Sequence, residues 1–134
     1  MTTSRQSPRR APDGSSGPTD LRVAADDLLA EAKGLRAGRS ARTLTPGAGA
    51  PLKQTLLALT SGSRLQEHVA PGPTTLLGVR GTCILRDGDG AVTVLDGVWT
   101  PVPTGPHELE AVTDTVVLLT VATSSDREGG SPDG

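Results

Sequence analysis

Residues 81–105 read GTCILRDGDGAVTVLDGVWTPVPTG. Two short apolar runs, Cys83-Ile84-Leu85 and Val92-Thr93-Val94-Leu95, flank Asp87-Gly88-Asp89-Gly90. Strand-forming residues on both sides of an Asp-Gly turn signal a hairpin, because glycine supplies the positive φ that a tight turn needs. A third run, Val98 to Val102, follows Asp96-Gly97. The same texture continues in both directions. Runs of Val, Leu, Ile and Thr between Gly, Pro and Asp clusters give strands at 41–45, 52–60, 64–69, 74–80, 82–86, 91–95, 98–102, 107–112 and 115–122. Short strands at this spacing indicate a barrel or sandwich.

Upstream the period changes. Leu21, Ala24, Ala25, Leu28, Leu29, Ala32 and Leu35 recur at helical spacing, which predicts one amphipathic helix over about 19–36. Thr19 or Asp20 caps its start, and Gly34 or Gly38 stops it. Outside this region apolar residues run out. Residues 1–18 hold only Met1 and Ala11 as aliphatic side chains, and 124–134 hold none. Both tails are expected to be disordered, since they cannot bury enough surface to offset chain entropy. The organisation is therefore a tail to 18, a helical segment at 19–39, a barrel at 40–123 and a tail from 124.

Composition excludes several classes. One Trp, no Tyr and no Phe leave almost no stacking platform for nucleic-acid bases. A net charge of −2 gives no basic footprint for a phosphate backbone. No apolar run approaches a membrane span, and no apolar stretch follows the N-terminal arginines as a signal peptide requires. A cytoplasmic protein that binds neither nucleic acid nor membrane is expected. Cys83 is the single cysteine, so no internal disulfide or CxxC site can form. It sits in an apolar strand and is expected to be an inert thiol.

Residues 62–111 resemble the paired signature motifs of the cupin superfamily. Gly62, five residues, His68, then Gly81 follow the first motif; Gly97, five residues, then Pro103-Thr104-Gly105 and His107 follow the second. Fifteen residues separate Gly81 from Gly97, similar to the short hairpin between the motifs of compact bacterial cupins. The phrases Leu76-Leu77-Gly78-Val79-Arg80-Gly81 and His107-Glu108-Leu109-Glu110-Ala111 resemble those of small actinobacterial cupins. The resemblance implies an all-β fold: a single antiparallel cupin β-barrel, the double-stranded β-helix or jelly roll, with one N-terminal helix.

It also implies a metal site built from three His and one Glu, and here this chain departs. Ala70 stands at the second His, Thr74 at the Glu and Ala111 at a conserved-type Asn of the motif. Two histidines remain. Period-2 alternation places Gln66 and Ala70 inward if His68 faces in, and Leu109 and Ala111 inward if His107 does. Glu67, Glu108 and Glu110 then point out. The candidate pocket is His68, His107, Gln66, Thr74 and Trp99, although Trp99 after its turn glycine equally suits core or interface packing. His68 and His107 are the candidate metal ligands. Two imidazoles fall short of the three or four protein ligands of zinc sites, so no cofactor is expected beyond weak binding of a divalent transition metal. The two histidines can equally be plain polar lining of the barrel mouth. Catalytic residues are unassigned.

Three functions fit. One is a barrel that binds a small molecule with little or no catalysis. Another is a metal-dependent isomerase or dioxygenase with a reduced two-His site. The third is a structural or dimerisation module, since exposed strand edges favour a homodimer.

Overall fold

The structure is a computed structural model that describes residues 17–123 apart from 48, 68–70 and 89. The expected disorder of the tails falls almost wholly on residues outside this description. The one helix among the described residues, α1, runs Leu21–Lys33. Asp20 caps it, its carboxylate accepting from the backbone N–H groups of Arg22 and Val23. Gly34 ends it, three residues before the expected boundary.

Nine strands follow among the described residues: β1 Arg39–Thr43, β2 Leu52–Leu59, β3 Arg64–Glu67, β4 Thr74–Arg80, β5 Cys83–Arg86, β6 Ala91–Val94, β7 Trp99–Pro101, β8 His107–Ala111 and β9 Thr115–Ala122. Each answers to one of the nine sequence runs. They form two antiparallel sheets, ordered β1-β2-β9-β4-β7 and β3-β8-β5-β6. The sheets pack face to face without closing into one continuous ladder. Neighbours that are distant in sequence, such as β4 with β9, make the winding a crossover topology.

Alternation along each strand decides where side chains go. Leu57, Leu59, Leu76 and Val117 of the large sheet meet Leu85, Val94 and Leu109 of the small one. On the other face of the large sheet, Leu56, Ala58 and Val116 meet Ala24, Ala25, Leu28, Leu29 and Ala32 of α1. The helix therefore covers one face of the large sheet and also reaches its edge strand, where Ser40 bonds Glu31. Ion pairs hold its flanks: Arg80 bonds Asp26, and Lys33 Nζ lies 3.3 Å from Asp114.

The motif glycines are turn residues by backbone necessity. Gly62, Gly81 and Gly97 have φ of 86°, 79° and 80°, a region that side chains other than glycine enter at a cost. At Gly81 a Cβ would also lie 2.0 Å from the carbonyl oxygen of Asp114. Gly81→Ala should therefore destabilise the fold by at least about 2 kcal/mol, read as a lower midpoint in urea unfolding. Gly62→Ala, with nothing within 4 Å of its Cβ, should cost less.

Two carboxylates link stability to pH. The Arg86 hydrogen bond lowers the pKa of Glu110 below its ordinary 4.5, against partial desolvation and helped by the Arg64 and Arg86 charges. The Ser61 backbone N–H, with Lys33, lowers Asp114 below 3.8. A carboxyl whose folded pKa is depressed stabilises the fold above its unfolded value. That contribution drains away as pH falls through the folded value. Glu110→Gln combined with Asp114→Asn should lower Tm at pH 7. The gap from wild type should narrow as pH falls below the ordinary values of these two carboxyls and close once both are protonated in the folded state.

Candidate functional site

The site lies at the mouth of the space between the sheets, where β8 begins. His107 is its first strand residue and is half-buried. Its Nδ1 lies 3.0 Å from the Gly105 carbonyl oxygen. A carbonyl only accepts, so Nδ1 must carry the proton, and in the neutral ring Nε2 is left with the lone pair. The Pro103-Thr104-Gly105-Pro106 turn thus does more than end a strand. It fixes the tautomer and leaves Nε2 as the ring nitrogen free to accept.

His107 lines two spaces. Inward is a cavity of about 20 Å³, room for roughly one water molecule. Leu57, Leu76, Leu119 and Val102 wall it from the large-sheet side, and Leu65, Leu85 and Leu109 from the small. His107 is the sole polar side chain on that wall among the described residues. Outward is an open basin of about 600 Å³, shared with Gln66, Arg86, Asp87 and Glu108. A buried aliphatic interior and a polar basin thus meet at one imidazole.

Arg86 bonds Glu110, and Arg64 sits 3.2 Å from Glu108 and 3.5 Å from Glu110. These four charges form a ladder on the outer face of the small sheet, so Glu108 and Glu110 point out as their alternation requires. Arg86 and Glu108 also line the basin, so the charges they present to it are already paired.

The other candidates are placed as follows. His68 and Ala70 lie outside the described residues. Gln66 is exposed and stands opposite Glu108, while Leu65 stands opposite Leu109 in the core. Gln66 therefore faces out, contrary to the inward placement counted from His68. Counting by twos needs unbroken strand, and β3 is bounded at Glu67. Gln66 still shares a space with His107, but it is the outer basin.

Thr74 is buried with Leu76 and Gly78 on the inward face of β4. Its hydroxyl donates to the Gly72 carbonyl at 2.9 Å, so it serves its own turn. Trp99 is 59% exposed on the outer face of β7. It lines neither space and is not core, because β7 turns Thr100 inward instead. Cys83 is fully buried, and burial pushes its thiol pKa up to about 11, as an inert core residue requires.

A cupin metal centre needs several donors aimed at one point. Among the described residues no group of three or more His, Cys, Asp or Glu converges. The Thr74 hydroxyl is engaged, and aliphatic side chains occupy the rest of the interior wall. The described donor set, one imidazole nitrogen, does not fit such a centre.

No protein-family model and no curated protein sequence matches the chain. Its fold has solved counterparts. A conserved protein of unknown function from Streptococcus pyogenes is 25% identical, with a TM-score of 0.60 over 69% of this chain and 80% of that one. A cupin superfamily protein from Desulfitobacterium hafniense is 15% identical, with a TM-score of 0.58 over 63% and 76%. A salicylate 1,2-dioxygenase from Pseudaminobacter salicylatoxidans is 20% identical, with a TM-score of 0.62 over 75% of this chain and 33% of that enzyme. The fold is the cupin fold: a jelly roll of two antiparallel sheets, with one added helix. At these identities the likeness carries the fold alone.

The cavity wall yields a direct expectation. Leu76 is 2% exposed and touches the space in front of His107. Leu76→Ala should cost about 2–5 kcal/mol of stability. It should also leave a cavity that takes up xenon or benzene, detectable by crystallography or chemical-shift change, where wild-type protein takes up neither.

Proposed function

We propose that this protein binds a small molecule at the barrel mouth and needs no metal to do so. In this proposal the ligand presents a hydroxyl or N–H donor to Nε2 of His107. The apolar part of the ligand lies against the aliphatic rim, and the remainder is wetted by the basin. The observation that carries this reading is the Gly105 carbonyl on Nδ1, which leaves Nε2 as an acceptor at the boundary of the two spaces. An acceptor in a mostly apolar setting selects for a donor, because an unmatched polar group there goes unsatisfied.

Phenol and its methyl ether, anisole, test this selectivity, being alike in size and different in the donor. Titration followed by NMR shifts of the backbone around Gly105–Leu109 should give phenol a roughly fivefold tighter Kd. His107→Ala should bring phenol down to the anisole value. Equal affinities in wild type, or no loss in His107→Ala, would sink the proposal.

The enzyme reading, with His68 and His107 on a transition metal as in an isomerase or dioxygenase, makes an opposite demand. It requires protein purified without a His tag to carry near-stoichiometric metal, and EDTA to lower Tm strongly. We expect EDTA to leave Tm within about 1 °C, because Leu and Val packing supplies the core.

A further inference from the structure

The two sheets part along a seam between β6 and β7, and the backbone explains why. The Val98 carbonyl and the Val102 N–H bond β4, so by strand alternation Trp99, Pro101 and Pro103 turn their backbone edges away from it. Pro101 and Pro103 carry no N–H, which removes two of the three donors with which this edge could pair with β6. Where a ladder would close the barrel, a groove of about 300 Å³ opens instead. Ala91 and Val92 of β6 form one lip, Pro101 and Pro103 the other, and buried Leu85 lines the inner side. The β5–β6 turn at one end is held by its own bonds: the Asp87 N–H donates to the Gly90 carbonyl at 3.1 Å, and the Gly90 N–H to the Asp87 carboxylate at 2.9 Å. The groove is therefore preformed, as ligand sites usually are.

The groove is an unfinished end of the inner core. Along β6, Val94 is 1% exposed, whereas Val92, two residues away on the same face, is 41% exposed. Val92 stands opposite Leu85 in the register, and Leu85 belongs to the core. A valine in line with the core and left open holds apolar surface against water, and covering it is favourable. The groove is also continuous with the spaces around His107. Leu85 lines both the groove and the inner cavity, and Asp87 lines both the groove and the outer basin. Only β5 stands between β6 and β8 in the sheet, so the β6 lip lies two strand spacings, about 10 Å, from the strand that carries His107. The inner cavity has room for roughly one water and cannot take the apolar body of a ligand; the groove can.

We infer that the ligand is an elongated amphiphile, a hydroxyl or N–H donor on an apolar body, and that the body lies in the seam groove over Val92 and Pro103. This inference rests on the donor reading of His107. The donor end engages Nε2, and the groove adds selection for a body about 10 Å long. A compact ligand such as phenol fills only the His107 end.

Phenol against anisole measures the His107 contact, and 4-butylphenol against phenol measures the groove, so the two readings fail separately. On the full chain, 4-butylphenol should bind at least about tenfold tighter than phenol, since each methylene removed from water adds up to about fourfold. Val92→Asp puts a charge on the lip. It should bring 4-butylphenol to within about threefold of phenol and leave the Kd of phenol unchanged. Val92→Thr keeps the β-branched shape, should give a smaller loss in the same direction, and serves if the Asp variant does not fold by circular dichroism. Intermolecular NOEs from the butyl methyl should reach Ala91 and Val92. Three results would overturn the inference: 4-butylphenol no tighter than phenol, an advantage undiminished in a folded Val92 variant, or butyl NOEs to Leu57 and Leu76 of the inner cavity.

Discussion

Strand β9 is the element on which the rest of the molecule depends, because it packs on both faces. Val116 and Leu118 turn towards α1, while Val117 and Leu119 turn towards the space between the sheets. One strand thus belongs to two hydrophobic clusters, and β2 and β4 pair along its two edges. Each fully buried Leu or Val contributes about 1.5–3 kcal/mol. The helix, the crossover topology and the inner core are coupled through this shared set. A one-residue slip of β9 would exchange its two faces and dismantle both clusters at once.

The same packing sets the limits of function. Among the described residues the interior wall is six leucines and one valine, with His107 its single polar side chain. Those side chains leave space for about one water. In the proposed reading, binding is therefore displaced outward, to the edge where His107 meets the basin. The contribution of the scaffold there is orientation: a carbonyl from the preceding turn chooses the proton position, and β8 holds the ring at the boundary. Polar atoms needed for ligand contact are few, which agrees with a pocket that selects by shape and one hydrogen bond.

The fold was legible because it is written in short-range signals. Nine apolar runs divided by turn residues became nine strands, and three glycines at motif spacing became three turns with positive φ. Asp20 and Gly34 bounded the helix for local reasons: the Asp20 carboxylate caps its start, and the Gly34 backbone N–H closes its end on the Glu31 carbonyl. The site was legible only in part. His107 could be placed, since Leu109 and Ala111 beyond it share its alternation. Gln66 could not, because its orientation was counted from a residue past the end of β3. The Gly105 carbonyl that fixes the tautomer left no sequence signal, being a backbone atom in a turn. The face that Trp99 takes could not be read for a general reason: a large apolar side chain on an edge strand has no pattern that says which face it takes. His68 lies beyond what the structure describes, so its half of the expected pair stays a sequence expectation.

The protonation pattern of the His107 ring tests most directly the idea that a turn carbonyl turns this imidazole into a fixed acceptor. Long-range ¹H–¹⁵N correlation of the full-length protein, at a pH where the ring is neutral, reads it without any ligand. His107→Ala identifies the signals that belong to this ring. A protonated, pyrrole-like Nδ1 with an unprotonated, pyridine-like Nε2 is the expected result. A ring protonated at Nε2, or one averaging between the two tautomers, would contradict it and remove the basis for donor selectivity at the barrel mouth.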